Sequence, residues 1–190
     1  MNSSDTSNQL LDVAQDLIQK RGYNSFSYKD LAAIVKIRTA SIHYHFPSKA
    51  DLGEALVLRY SSVLEQALAE IDRRGRSSKA KLKKFIGLYR DTEDRGCICL
   101  CGSLASDLET LDEPVKDAVA LYLARSRAWL TDTISAGIAD DEFTIDGQPS
   151  EAAAMLLASL QGSLILARVQ GGTSVVDQVQ RIFLRSLQNS

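Results

Sequence analysis

Between Arg38 and Phe46 the chain concentrates side chains that can hydrogen-bond or stack: Thr39, Ser41, His43, Tyr44 and His45, with the small Ala40 among them. Ile42 and Phe46, four residues apart, share the opposite face of the same short helix. Hydroxyls, imidazoles and a phenol on barely two turns suit contact with base edges in a groove. The plainer alternative is a polar surface helix whose histidines are satisfied by neighbours. Composition alone leaves both readings open.

A second concentration is Cys97–Ile98–Cys99–Leu100–Cys101, which holds all three cysteines. A zinc site needs about four nitrogen or sulfur ligands, and the only histidines are 43 and 45, so no metal is expected. Structural disulfides do not suit a reducing compartment. The thiols are then either small buried apolar groups or sensors of oxidants or electrophiles. The second role needs an exposed thiolate of lowered pKa. Asp107 and Glu109 near the cysteines are the only cluster suggestive of an enzyme, and neither histidine can assist them.

The elements that must position these groups can be read from caps and periodicity. Ser27 with Asp30 three residues on has the form of a capping box, and Leu31, Ile34 and Val35 supply an apolar face. Lys36–Ile37–Arg38 makes a turn, after which Thr39 can cap the short helix. Pro47 closes that helix, and Ser48 with Asp51 repeats the cap signature. Two short helices across a tight turn form a helix-turn-helix, whose second helix enters the major groove. Ahead of them, Leu10, Leu11, Ala14, Leu17 and Ile18 predict a helix over 7–21 ended by Gly22, while residues 1–6 read as disordered.

From Ser48 a long helix is predicted to about Arg73, roughly 35–40 Å at 1.5 Å per residue, linking head and body. The basic break 73–78 reads as a solvated connector. An amphipathic helix with Leu82, Phe85, Ile86 and Tyr89 follows, then a polar loop over 90–96. A short helix is expected over 102–111. The next is capped by Asp112, with Pro114 in its first turn. The acidic stretch 137–147 reads as a surface connection. Pro149 and Ser150 open a helix that is apolar nearly all round, a sign of cover on several sides. Gly171–Gly172 ends it, and 174–187 forms the last amphipathic helix.

Composition sets bounds on these readings. The 190 residues are 45% hydrophobic and 24% charged, as in an ordinary globular protein able to bury a core. Residues 1–60 carry seven Lys+Arg against six Asp+Glu, the remainder fifteen against eighteen. That asymmetry has the sign of a DNA-binding head but is too small to carry the claim. The opening MNSSDTSNQ lacks the pattern of a signal peptide, and no uninterrupted apolar run approaches the ~20 residues of a membrane span. A cytoplasmic location and no membrane partner are therefore expected.

Residues 9–60 resemble the DNA-binding domain of the TetR family of bacterial transcriptional regulators. Ala14, Gly22 with Tyr23, the SYKDLA run and above all ASIHYHFPSKADL over 40–52 carry the likeness. Two positions depart: Lys36 stands where the family usually has Gly, and Arg38 where it has Ser or Thr. A non-glycine residue in a left-handed turn costs roughly 1–2 kcal/mol. Either that strain is tolerated or the turn is built differently, and Arg38 could add a phosphate or base contact.

The resemblance implies an all-α protein of about nine helices. A three-helix head over 1–52, with the linking helix 48–73, would bind DNA; a helical body over 53–190 would bind an effector and dimerise. The surface set against a double-stranded operator comprises Ser27, Tyr28, Lys29, Arg38, Thr39, Ala40, Ser41, His43, Tyr44, His45 and Lys49. Within it Lys49 is expected to hold a phosphate. The last two long helices pair with their mates in a homodimer that sets two recognition helices roughly 34–36 Å apart.

Tyr89, Cys99, Tyr122, Trp129 and Gln161 are candidate effector contacts. From Cys99 onward the body resembles the electrophile-responsive NemR-like branch of the family, with Cys99 in line with its redox-active cysteine and Cys97 and Cys101 as partners. No cofactor and no catalysis are implied. The implied function is a repressor released by a small-molecule or electrophile inducer. The rival is a helical dimeric structural or enzymatic protein without specific DNA binding.

Overall fold

A computed structural model describes residues 3–170 and 174–187 of the chain. Among them are nine α-helices and two short 3-10 turns, and no strand. The expected helix end at Gly171–Gly172 lies outside the described residues.

The helices fall into two compact units that interleave along the chain: Met1–Val63 with Leu100–Tyr122, and Leu64–Cys99 with Leu123–Ser190. Residues 100–122, which the sequence reading assigned to the C-terminal part, thus group with the N-terminal helices.

In the first unit α1 (Ser3–Arg21) buries Leu10, Ala14 and Ile18 completely. It starts at Ser3 rather than Ser7, so residues 3–6 are helical where disorder is expected, while residues 1 and 2 lie outside the described residues; Asp5 in the first turn complements the helix dipole. A 3-10 turn (Tyr23–Ser25) leads to α2 (Tyr28–Val35) and α3 (Thr39–His45). Leu31 and Ile42 are fully buried under them. The first part of α4 (Lys49–Arg74) adds Leu52, Leu56 and Val57 to this core.

α6 (Leu100–Ser106) packs on α1, and the Ser103 hydroxyl donates to the Ile18 carbonyl at 2.8 Å. The helix expected over 102–111 is in fact α6 followed by a 3-10 turn (Leu108–Thr110), with Leu111 buried and Leu108 exposed. α7 (Glu113–Ala139) begins in this unit.

The second unit takes the rest of α4 and α7 with α5 (Ser78–Asp94), α8 (Pro149–Gln170) and α9 (Val175–Ser186). Leu82, Phe85, Ile86, Leu130, Ile134, Leu156, Leu160 and Val176 form its core. Among the described residues α8 is the one helix long and apolar enough to cross a membrane; here it packs on α5 and α9. Its expected burial is incomplete: Met155, Ile165, Leu166 and Val169 are exposed in the single chain.

Candidate nucleic-acid interface

The helix-turn-helix is built by the local chemistry the sequence suggested. Ser27 accepts from the Asp30 N–H while its own N–H donates to the Asp30 carboxylate at 2.8 Å, a complete capping box. Ser48 and Asp51 repeat it, with the Ser48 N–H 2.7 Å from the carboxylate and the Asp51 N–H 3.1 Å from the hydroxyl. Both aspartates sit below the usual carboxylate range, chiefly because the serine hydroxyl donates to them.

Between the boxes Lys36 occupies the left-handed region (φ 59°, ψ 44°), and its N–H closes α2 onto the Ala32 carbonyl. The turn is therefore made in the glycine-favouring conformation without a glycine. Arg38, not Thr39, stands at the N-cap of α3, in extended backbone, and no side chain caps that end. Thr39 is the first helical residue.

α3 presents a sharply divided surface. Ile42 and Phe46 are buried, while Arg38, Ala40, Ser41, His43 and Tyr44 are exposed and Thr39 and His45 half-buried. Tyr44, 80% exposed, stands edge-on to His45. A large aromatic ring so far out of the core has no packing reason to be there. His43 Nδ1 lies 2.9 Å from the Pro47 carbonyl oxygen, which can only accept. Nδ1 therefore carries a proton, which leaves Nε2 as the ring nitrogen open to another contact. Ser27 and Lys29 are exposed at the start of α2.

Two residues assigned to the DNA surface have other occupations. Tyr28 is buried: its hydroxyl proton lies between the carbonyl oxygens of Phe46, at 3.0 Å, and Ser48. Burial raises its pKa, with the Asp51 charge adding to the effect. It braces the end of α3 from within. Lys49 is not the free cation expected: its ammonium donates to the carbonyls of Tyr23 (2.6 Å) and Phe26 (2.7 Å) and lies over both rings. Desolvation lowers its pKa and the Asp107 carboxylate opposes that. Sequence spacing cannot reveal such capture, because Tyr23 and Phe26 lie more than twenty residues away.

The effector candidates divide between the units. In the second, buried Tyr89 accepts from the Gln161 amide at 3.2 Å and packs on Phe85, which stacks on Trp129 at 5.4 Å. The Trp129 indole N–H donates to Asp72 at 2.9 Å. Tyr122 belongs to the first unit, against Tyr60. Cys97, Cys99 and Cys101 are not joined in disulfides and all are buried, so none has the exposure a thiol sensor needs in this conformation. Among the described residues no group of His, Cys, Asp or Glu is placed to hold a metal.

The sequence reading missed Asp107 as a structural anchor. Its carboxylate accepts the Tyr23 N–H at 2.9 Å, a contact spanning 84 residues. The signal available was an acidic residue with no catalytic partner.

Known proteins place this geometry. Residues 10–56 match the pattern of the bacterial regulatory proteins of the tetR family, and residues 78–183 match the tetracyclin repressor-like C-terminal domain. A TetR-family transcriptional regulator from Agrobacterium tumefaciens superposes with a TM-score of 0.94 at 32% identity, over 98% of this chain and 100% of that one. The HTH-type transcriptional repressor NemR of Escherichia coli K12 is 23% identical over 87% of this chain and 85% of its own. The HTH-type transcriptional repressor DhaR of a Mycobacterium species, strain GP1, is 22% identical over 92% of both.

Proposed function

The chain belongs to the TetR family of bacterial transcriptional regulators, and on that premise we propose a homodimeric repressor that reads its operator through α3. It is a DNA-binding regulator, not an enzyme. The observation that carries the site reading is the 80% exposed Tyr44 on a helix whose other face is buried. Ser41, His43 and Tyr44 approach base edges, with Thr39 and His45 beside them. Arg38, Lys29 and the exposed start of α2 hold phosphates. With Nδ1 held by the Pro47 carbonyl, Nε2 is the His43 nitrogen that meets a base edge in the major groove.

The apolar stripe left open on α8 supports the dimer. Met155, Ala158, Ser159, Gly162, Ile165, Leu166 and Val169 recur at helical spacing on one face. An inducer acts by favouring a body shape whose head spacing is wrong for DNA, a coupling of typically 1–3 kcal/mol. Burial of all three thiols favours a small-molecule inducer over thiol chemistry, and the Tyr89–Gln161 pair with Phe85 and Trp129 is the region it would contact. A regulator that acts on bacterial DNA works in the cytoplasm.

The test uses a duplex enriched by the wild-type protein from a random pool. Tyr44→Ala abolishes the preference for that duplex over a scrambled one and leaves the oligomeric mass intact. Undiminished preference in a gel shift rules out this assignment of the reading helix.

A further inference from the structure

Tyr23 joins the segment 100–122 to the start of α4 through every polar atom it owns. Its N–H donates to Asp107 at 2.9 Å, its carbonyl accepts from the Lys49 ammonium at 2.6 Å, and its hydroxyl donates to the Lys49 carbonyl at 2.8 Å. Two glycines make room for this arrangement. Gly22 has φ +92°, which side chains rarely adopt, and a Cβ there would lie 3.3 Å from the Asp107 carboxylate. A Cβ at buried Gly53 on α4 would meet the Tyr23 ring at 3.3 Å and Val115 of α7 at 3.2 Å.

Around the same turn the Asn24 amide donates to Thr110 at 2.8 Å, and Ser103 holds the carbonyl of Ile18. Lys49 adjoins Ser48, whose carbonyl lies on the Tyr28 hydroxyl, which also reaches the end of α3 at Phe46. A hydrogen-bonded line thus runs from the residue after α6 to the end of the reading helix, all within one compact unit.

We propose that Tyr23, Lys49 and Asp107 are positioning residues for DNA binding: Asp107 anchors the Tyr23 turn, Lys49 clamps it to α4, and together they hold α3 at its reading orientation. Lys49 acts through Tyr23 and not on a phosphate. Movement of the 100–110 segment is therefore transmitted to α3 by loss of the Asp107 anchor. The inference rests on the reading that α3 meets DNA.

The full-length protein decides it, with the duplex enriched from a random pool as probe and binding followed from 50 to 300 mM salt. Tyr23→Phe, Asp107→Leu and Lys49→Gln each weaken binding, by about tenfold where a hydrogen bond to a charged group is lost. The slope of log affinity against log salt stays at the wild-type value in all three. In the free protein, Asp107→Leu accelerates amide hydrogen exchange over 38–46.

A slope lowered by about 1 in Lys49→Gln is the signature of a phosphate contact and overturns the proposal. So do wild-type affinity and wild-type α3 exchange in Asp107→Leu. Should Lys49→Gln fail to fold, the two near-isosteric variants carry the test. A wild-type protein that enriches no duplex defeats the DNA reading instead, and the exchange measurement on the free protein still decides the tie.

Discussion

Lys36 shows how a single residue can hold strain in a binding motif. Its left-handed conformation costs about 1–2 kcal/mol, and Gly there would give back part of the gain as unfolded-state entropy. Lys36→Gly should therefore stabilise the protein by about 0.5–1 kcal/mol, read as a raised urea midpoint at unchanged slope. A lowered midpoint means the lysine side chain contributes something the backbone conformation does not reveal. The two capping aspartates make a pH prediction. Because Asp30 and Asp51 titrate below their ordinary value of 3.8, their stabilisation is fully present above that value and is lost as pH falls through the depressed one. Asp51→Asn should flatten the acid limb of stability below about pH 4 and change little of its pH dependence at neutral pH. An acid limb identical to wild type assigns the acid sensitivity to other groups.

At the level of elements, the stretch 137–147 departs most from its reading as a surface connection. Phe143 is wholly buried, seated on Gly137: a Cβ there would lie 2.3 Å from the ring. Beside it Glu142 accepts the N–H groups of Ser78 at 2.7 Å and Lys79 at 3.2 Å, capping the start of α5. Glu93 does the same for α9, taking the Val175 N–H at 2.8 Å. The 140–148 connection and the last turn of α5 thus tie helices together, which their acidic composition does not disclose. Gly137→Ala should lower stability by about 1–3 kcal/mol through overpacking, seen in chemical denaturation. A neutral result would mean that Phe143 can find another seat.

For the whole molecule the decisive quantity is the state of association. An isolated chain leaves Val169 82% exposed and Ile165, Leu166 and Met155 about half exposed along one face of α8, with Ile182 of α9 also exposed. In the proposed homodimer a second copy covers that face and supplies the second reading helix. Ile165→Glu places a charge in the seam, which is costly when buried unpaired. It should turn a dimer by light scattering into a monomer that no longer prefers the enriched duplex. A dimer of unchanged mass would put the seam elsewhere.

Much of this was legible in the residues themselves. Caps, helical periodicity and the run from Ala40 to Leu52 determine the all-α class, the two short helices and the outward set Ser41, His43 and Tyr44, because each depends on neighbours three or four positions away. What only the tertiary structure decided depends on residues distant in the chain: that segment 100–122 joins the N-terminal helices, that Lys49 is clasped by two carbonyls, that Tyr28 braces from inside and that the cysteines are covered. A lysine or tyrosine carries the same formula in solvent and in a pocket, and its role follows from which remote backbone atoms fold onto it.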